Sequence, residues 1–340
     1  MILVTGGTGL VGSHLLYKLT SRNEQVRAIY RRAHKLESVK KVFSYYTKEV
    51  DTLYNRIEWV EADLNDIPAL IEVFNDIKFV YHCAAFVSFE PDKYHQLRKI
   101  NIQGTANIVN LCVANQIQKL CYVSSIAAIG SELDEDLLIS EKTAWNPELD
   151  HSVYAITKYG AEIEVWRGTQ EGVDAVIVNP GLILGPGFWH GGGSGSLIKQ
   201  VYKGFPYYTT GMTAYVDVDD VVKAMIELMN SHIKNESFIV ISDNLTFKEF
   251  QMKVAKALGV QAATKEASEF ILAVGWRLDW LRHKILGKRR KLSKQMAKTA
   301  VTKTVYDNSK LKQFLNFEFK PIETSIEQVA EFFLDDLKKG

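Results

Sequence analysis

Tyr154 and Lys158 stand at i and i+4. On a helix that spacing puts a phenol and an ammonium on one face. A phenol ordinarily titrates near ~10, too high to exchange protons readily in neutral water. A neighbouring cation favours the phenolate and makes such a tyrosine a usable acid or base. The spacing alone is unspecific, since Tyr306 and Lys310 repeat it; that second copy reads as coincidence. Context separates the two. Ser124 and Ser125 close the apolar run Cys121–Val123 upstream of Tyr154. In a parallel sheet, ligands bind outside the carboxyl ends of the strands. Ser125 is therefore expected where its hydroxyl can hold a substrate oxygen.

A second chemical element is a glycine string, Gly6-Gly7-Thr8-Gly9-Leu10-Val11-Gly12. It lies between a short apolar run, Ile2 to Val4, and a segment with helical apolar spacing through Leu15, Leu16 and Leu19. Glycines let the backbone turn tightly and approach a pyrophosphate, and the helix start supplies free N–H groups and a favourable dipole. A dinucleotide is thus expected against Gly6, Thr8, Gly9, Leu10, Val11 and Gly12. The end of the second strand reports on the ribose. Binders of NAD place Asp or Glu there; this chain has Tyr30-Arg31-Arg32. An arginine can pair with a 2′-phosphate but offers a hydroxyl no acceptor. Arg31 and Arg32 therefore favour NADP, with NAD as the alternative. No metal is expected.

The apolar pattern also locates the elements that must position these groups. Strands are expected at Val26 to Tyr30, Ile57 to Glu61, Phe79 to Ala85, Lys119 to Ser124 and Ala175 to Val178. Helices fall between them at 67–75, 101–114 and 154–168. This alternation is that of an α/β fold, a Rossmann-type doubly wound parallel sheet. Beyond Pro180 it loosens into a glycine-rich loop through 185–195, two further β/α stretches and a mostly helical end. We expect a nucleotide-binding domain over 1–183, with 214–240 rejoining it. A smaller, mostly helical substrate lobe takes 184–213 and 241–340.

Composition narrows the function classes. Forty-one Lys plus Arg against 40 Asp plus Glu leave a net charge of +1, which disfavours a protein that grips nucleic acid through whole-chain charge. With 46% apolar and 24% charged residues, the 340-residue chain is ordinary globular material rather than disordered. The three cysteines, Cys83, Cys112 and Cys121, lie in apolar runs and are expected to be buried, reduced thiols of a cytoplasmic protein. Neither a signal peptide nor an apolar run of the ~18–20 residues that cross a bilayer is expected.

In this order the motifs resemble the extended short-chain dehydrogenases/reductases, the NAD(P)-dependent epimerase/dehydratase family. The resemblance rests on Thr5–Gly12, Asp63-Leu64, His82-Cys-Ala84-Ala85, Asn101-x-x-Gly104-Thr105, Ser124-Ser125, Tyr154…Lys158 and Asn179-Pro180-Gly181. It implies that Tyr154 is the general acid/base, and that Lys158 binds the nicotinamide ribose and lowers the Tyr154 pKa. It implies that Ser125 orients the substrate oxygen, with Ser124 as the less favoured occupant of that role. Asp63 and Leu64 would contact adenine, Ala84 and Ala85 the ribose and pyrophosphate, and Pro180, Gly181 and Leu182 the nicotinamide. Asn101 would be a structural or relay residue beside the lysine; a plain helix cap is the bland alternative.

The residues just after Ser125 narrow the reaction. Dehydratases of the family carry an Asp-Glu pair there; this chain has Ile126-Ala127-Ala128. Sugar-nucleotide epimerases hold a diphosphate, typically with arginine, and no arginine occurs between Arg167 and Arg277. Lys199, Lys203 or the basic C-terminal region remain as substitutes, so an NAD-dependent epimerase stays the alternative. The candidate pocket is aromatic: Phe86, Phe89, Trp145, Phe188, Trp189, Tyr207 and Tyr208, each as readily a core residue. Phe86, Ser125, Phe188 and Trp189 are the substrate-site candidates. Together with the likeness of 82–89 to the dihydroflavonol-4-reductase branch, this points to carbonyl reduction, or alcohol oxidation, on an apolar or ring-containing small molecule.

A rival of another class is a non-catalytic NADP-binding regulator or assembly factor; retention of Ser125, Tyr154 and Lys158 argues against it. The family resemblance implies a homodimer. Residues 282–303 hold nine Lys or Arg and no acid. Before them Phe270, Val274, Leu278, Leu281 and Ile285 line one helical face beside Trp276 and Trp280. Such a stretch, 270–303, suits either a substrate-lobe helix with its charged face solvated, the commoner arrangement, or contact with an anionic membrane.

Overall fold

Apolar runs buried on both faces pair in parallel. The computed structural model describes residues 1–130, 138–190, 193–287, 290 and 292–339. Its strands are β1 (Ile2–Thr5), β2 (Val26–Tyr30), β3 (Ile57–Glu61), β4 (Phe79–His82), β5 (Lys119–Val123) and β6 (Ala175–Pro180). They continue with β7 (Leu182–Leu184), β8 (Tyr207–Tyr208), β9 (Met212–Asp217), β10 (Glu236–Val240), β11 (Asp243–Thr246) and β12 (Lys265–Glu266). Seven form one parallel sheet in the order β10-β6-β5-β4-β1-β2-β3. The order reverses between β1 and β4, which opens a crevice at their carboxyl ends. Strands β5 and β6 are buried along their whole length, as helices on both faces require.

Two apolar layers flank the sheet. On one face Leu15, Leu16 and Leu19 of helix Leu10–Ser21 meet Val221, Met225 and Leu228 of helix Val218–Asn230. On the other, Ile108, Val109 and Cys112 of helix Gly104–Ala114 meet Ala161 and Val165 of helix Val153–Gln170. The second lobe has its own core of Leu184, Trp189, Ile198, Tyr215, Phe250, Ile326 and Phe333. Strands β11-β9-β7 form its sheet, so Met212–Asp217 pairs there while β10 completes the large sheet.

Several expectations need correction. Helix Ser194–Tyr202 begins inside the stretch expected to be a glycine-rich loop, of which Gly191 and Gly192 lie outside the described residues. Helices Leu36–Phe43 and Val50–Tyr54 fill the gap between β2 and β3 that the apolar pattern leaves open. Of the three cysteines, Cys112 and Cys121 are buried but Cys83 is only half-buried, because it already lies past the end of β4. None of the three is bridged. Among the described residues, no helix is long and apolar enough to cross a membrane, and no cluster of His, Cys, Asp or Glu suits a metal ion.

Candidate active site

The glycine string bends where the sequence demands it. Gly6 adopts φ +69°, and a Cβ there would lie 2.6 Å from the Ala84 backbone nitrogen. A Cβ on Gly12 would lie 2.2 Å from the Gly6 carbonyl oxygen. The loop is therefore folded onto itself and onto the end of β4. Gly9 caps the following helix with no side-chain acceptor. The first N–H groups of that helix are left for an anion. Thr8 and Leu10 are half-buried beside it and Val11 is buried. These residues fit a dinucleotide pyrophosphate. At the end of β2, Arg31 is half exposed, and its guanidinium stands 3.5 Å from Asp63. Arg32 is exposed and extended. Burial raises the Asp63 pKa, but hydrogen bonds from the Asn65 backbone and amide, with Arg31 beside it, outweigh burial and hold it below the usual range. Leu64 is buried against Gly104, and its carbonyl accepts from Asn107 Nδ2 at 2.8 Å.

Helix Val153–Gln170 starts at Ser152, whose hydroxyl accepts from the Ala155 N–H at 3.0 Å. That cap fixes Tyr154 in the first turn. Its ring meets Phe89 edge-on at 5.5 Å. Burial pushes the Tyr154 phenol up to about 12, opposed by a hydrogen bond with the Ser125 hydroxyl. Ser125 comes just after β5 and caps the short turn Ile126–Ala128. Ser125 and Tyr154, far apart in sequence, thus meet at the carboxyl end of β5.

Lys158 behaves differently from expectation. It is 1% exposed, and its Nζ donates to the Tyr122 hydroxyl at 2.7 Å and to the Val123 carbonyl at 2.9 Å. The Tyr154 shift is upward, set by burial, rather than the downward one expected of a neighbouring ammonium. Burial pulls Lys158 down to about 7, against the Glu162 carboxylate and Cys83. A buried chain of polar groups leaves from here. Tyr122 bonds Thr105, His82 contacts Thr105 at 3.0 Å and Thr5 at 2.6 Å, and Thr5 accepts from Ala84 N. Burial and the Lys158 charge push His82 down to about 3, so this imidazole stays neutral.

Asn101 is not a helix cap. It lies inside a π-helical turn, Arg98–Gln103, and its amide clamps both backbone groups of Phe86, accepting at 2.7 Å and donating at 3.0 Å. A third bond reaches Thr157. Such turns displace a side chain out of helical register. Here that fixes Phe86, half-buried, beside exposed Ala85 and Val87. Pro180 ends β6 buried, Gly181 bonds the Val240 carbonyl and Leu182 opens β7. Phe188 is half-buried. Trp189 is not a substrate-site residue: it is buried against Phe333, and its indole N–H donates to Asp336 at 2.8 Å. Trp145 stacks on His151 and Tyr159 instead of lining the site, and Tyr207 and Tyr208 form β8. The second Tyr–Lys pair is split: Lys310 bonds Glu236 at the start of β10, whereas Tyr306 packs against Ile126, Ile129 and Ile241 beyond that strand's other end.

One residue escapes the sequence reading. Glu162 continues the face of Tyr154 and Lys158 one turn further. Its carboxylate accepts from Ser124 Oγ at 2.6 Å and from Asn179 Nδ2 at 2.9 Å, and the same Asn179 amide donates to the Ser125 carbonyl. Burial raises its pKa, opposed by these bonds and by Lys158. Spacing i+4 from Lys158 is the signal in the sequence.

A dinucleotide cradle at the switch point of a doubly wound sheet, with Ser, Tyr and Lys at the next strand end, defines an NAD(P)-dependent enzyme of the short-chain dehydrogenase/reductase type. The sequence matches the NAD dependent epimerase/dehydratase family over residues 2–241, and the chain belongs to that family. It is 25% identical to a Synechocystis protein assigned as a dihydroflavonol 4-reductase, over 97% of this chain and 93% of that one. It is 28% identical to cinnamoyl-CoA reductase 1 of Petunia hybrida, covering 67% and 68% of the two chains. The UDP-glucose 4-epimerase of Thermotoga maritima has the same fold, with TM-score 0.77 over 99% of both chains at 21% identity.

Proposed function

We propose that this oxidoreductase reduces the carbonyl group of a largely apolar or ring-containing small molecule, using NADPH. The observation that carries the reading is the Ser125 hydroxyl against the Tyr154 phenol at the carboxyl end of β5. A carbonyl oxygen placed there accepts a hydrogen bond from Ser125 and a proton from Tyr154. At about 12, the phenol holds its proton through the neutral range and is set to donate it. A reduced nicotinamide held by the glycine string would supply the hydride. Lys158, one turn along the same face, places a positive charge behind the phenolate that remains. Phe89 lies against Tyr154, Phe86 and Val87 precede it in the same loop, and no arginine between 168 and 276 is available for a diphosphate. Turnover of aromatic ketones or aldehydes with NADPH, and none of UDP-glucose, is the expected result of a substrate panel; the reverse pattern overturns the reading.

Cofactor choice rests on Arg31 and Arg32. The Arg31–Asp63 contact is long and half exposed, so it leaves the guanidinium available to a 2′-phosphate. Loss of a charge-assisted bond is worth about 1.5–3 kcal/mol. In Arg31→Ala the KM for NADPH is expected to rise by about tenfold or more on that scale, with the KM for NADH nearly unchanged. Equal changes for both cofactors count against a 2′-phosphate at Arg31.

Glu162 acts on this site as a positioning residue. Its carboxylate favours the charged form of Lys158. If the ammonium supports turnover, activity falls as pH rises through the Lys158 pKa of about 7. Removing the carboxylate lowers that pKa, so Glu162→Gln is expected to move the alkaline limb of kcat to lower pH, with KM for the carbonyl substrate little changed. An unmoved limb, with only thermal stability reduced, would show a packing role alone.

A further inference from the structure

Helix Glu269–Leu286 shows solvent the face that a helix ordinarily buries. Phe270, Val274, Leu278, Leu281 and Ile285 run along one side, and Phe270, Leu278 and Ile285 are 77%, 61% and 69% exposed. Ile271 borders the same stripe at 43%. The opposite side holds Leu272 and Trp276, which pack on Leu292, Ala297, Ala300 and Val301. The helix is thus tethered to the body through helix Lys294–Thr299. Among the described residues nothing covers the apolar stripe.

Charge indicates what does. Arg277 and Lys284 border the stripe, with their cations over the rings of Trp276 at 4.5 Å and Trp280 at 5.1 Å. Asp279 faces the other way. It pairs with Arg282 at 2.6 Å and accepts from the Leu292 N–H. Lys294 and Lys298 lie on the opposite, body side, where Lys298 stands 3.5 Å from Asp150; Lys288, Arg289 and Lys291 lie outside the described residues. We propose that this helix lies flat on an anionic lipid bilayer, its apolar stripe among the acyl chains and its cations at the headgroups.

The physical features required of an interfacial helix are all here. At 1.5 Å per residue, 18 residues give roughly 27 Å of contact in the membrane plane. The segment is too polar to cross. Tryptophan favours the headgroup level, and Lys and Arg stems cover apolar surface while their charges stay wet. The apolar stripe and the Arg277 and Lys284 cations that border it supply the two signals that peripheral binding needs. A second copy of the chain fits less well. Two such faces brought together oppose Arg277 and Lys284 to their own kind.

The test is flotation of the full chain with vesicles of equimolar phosphatidylcholine and phosphatidylglycerol, beside vesicles of phosphatidylcholine alone. The wild type is expected to float with the anionic vesicles and much less with the neutral ones. Leu278→Glu with Leu281→Glu is expected to weaken binding by about tenfold or more, since both side chains leave the lipid phase. Lys284→Glu, a surface change that spares the core, weakens it too, and Tyr154→Phe floats as the wild type does. Unaltered cofactor binding shows that each variant is folded. The proposal is overturned by absence of flotation at low salt, by flotation that neither helix variant weakens, or by equal flotation with both vesicles. It is equally overturned by a dimer, seen in sedimentation without lipid, that the double variant dissolves.

Discussion

Tyr154→Phe is expected to lower kcat for carbonyl reduction by about 10²–10⁴-fold, the range that a positioned acid contributes. The substitution removes one oxygen and leaves the ring on Phe89. Folding is expected to hold, because Tyr154 sits in a first turn capped by Ser152 rather than in the packed layer beneath. NADPH affinity is expected to change by less than about threefold, since the seat proposed for the cofactor lies mainly on the glycine string and the ends of β2 and β4. Stopped-flow or steady-state turnover, beside a fluorescence titration of NADPH, reads both quantities. Carbonyl turnover within about fivefold of wild type would remove Tyr154 from the role of acid, because a lost acid costs at least ~10². A cellular phenotype that survives while turnover is lost points instead to the non-catalytic regulator.

The strands are legible in the sequence because a parallel sheet buries both faces of each strand. Its β-strands then appear as unbroken apolar runs such as Leu120–Val123 and Ala175–Val178. The glycine string is legible for a related reason: no other residue tolerates the contacts at Gly6 and Gly12. What stays hidden depends on partners distant in sequence. Glu162 and Glu164 look alike as letters. Glu164 is a half-buried surface acid paired with Arg167 at 2.9 Å, whereas Glu162 is enclosed by Ser124 and Asn179, which belong to two other chain segments. Lys158 pairs with Tyr154 on paper because they share a helix, yet its partner is Tyr122 from β5. Trp189 suggests a pocket as one of a run of aromatic residues, but helix Ile322–Lys339, whose Phe333 packs on it, makes it core.

The same reasoning applies to helix Glu269–Leu286 in reverse. An amphipathic pattern tells that two faces differ, and the default is that the apolar one points inward. Only the placement of helix Lys294–Thr299 on the Leu272–Trp276 side reveals that the richer apolar stripe is left outside. The Asn101 clamp is a further case. A π turn leaves no sequence signature, yet it is what aims this amide at both backbone groups of Phe86.

Gly12→Ala is expected to raise the Kd for NADPH by about a hundredfold or more, and to cost about 1–3 kcal/mol of stability through overpacking. The added Cβ would meet the Gly6 carbonyl oxygen at 2.2 Å, the Gly6 carbonyl carbon at 2.7 Å and Gly7 Cα at 2.9 Å. All three are backbone atoms, so no side chain can swing aside. Relief requires the helix start to move away from the loop, and the Gly9 N–H, now bonded to Gly6 at 2.9 Å, moves with it. The N–H groups that would face a pyrophosphate are then no longer convergent. Gly9→Ala separates the two effects. Its Cβ would meet only the Gly6 oxygen, at 3.4 Å, an ordinary contact, so thermal stability is expected to hold. The same methyl stands at the cap where a phosphate approaches, so affinity is still expected to fall. Calorimetry beside a cofactor titration distinguishes the pair: loss of stability and binding for position 12, and of binding alone for position 9. If either variant binds NADPH as tightly as the wild type, the pyrophosphate is not seated on this loop.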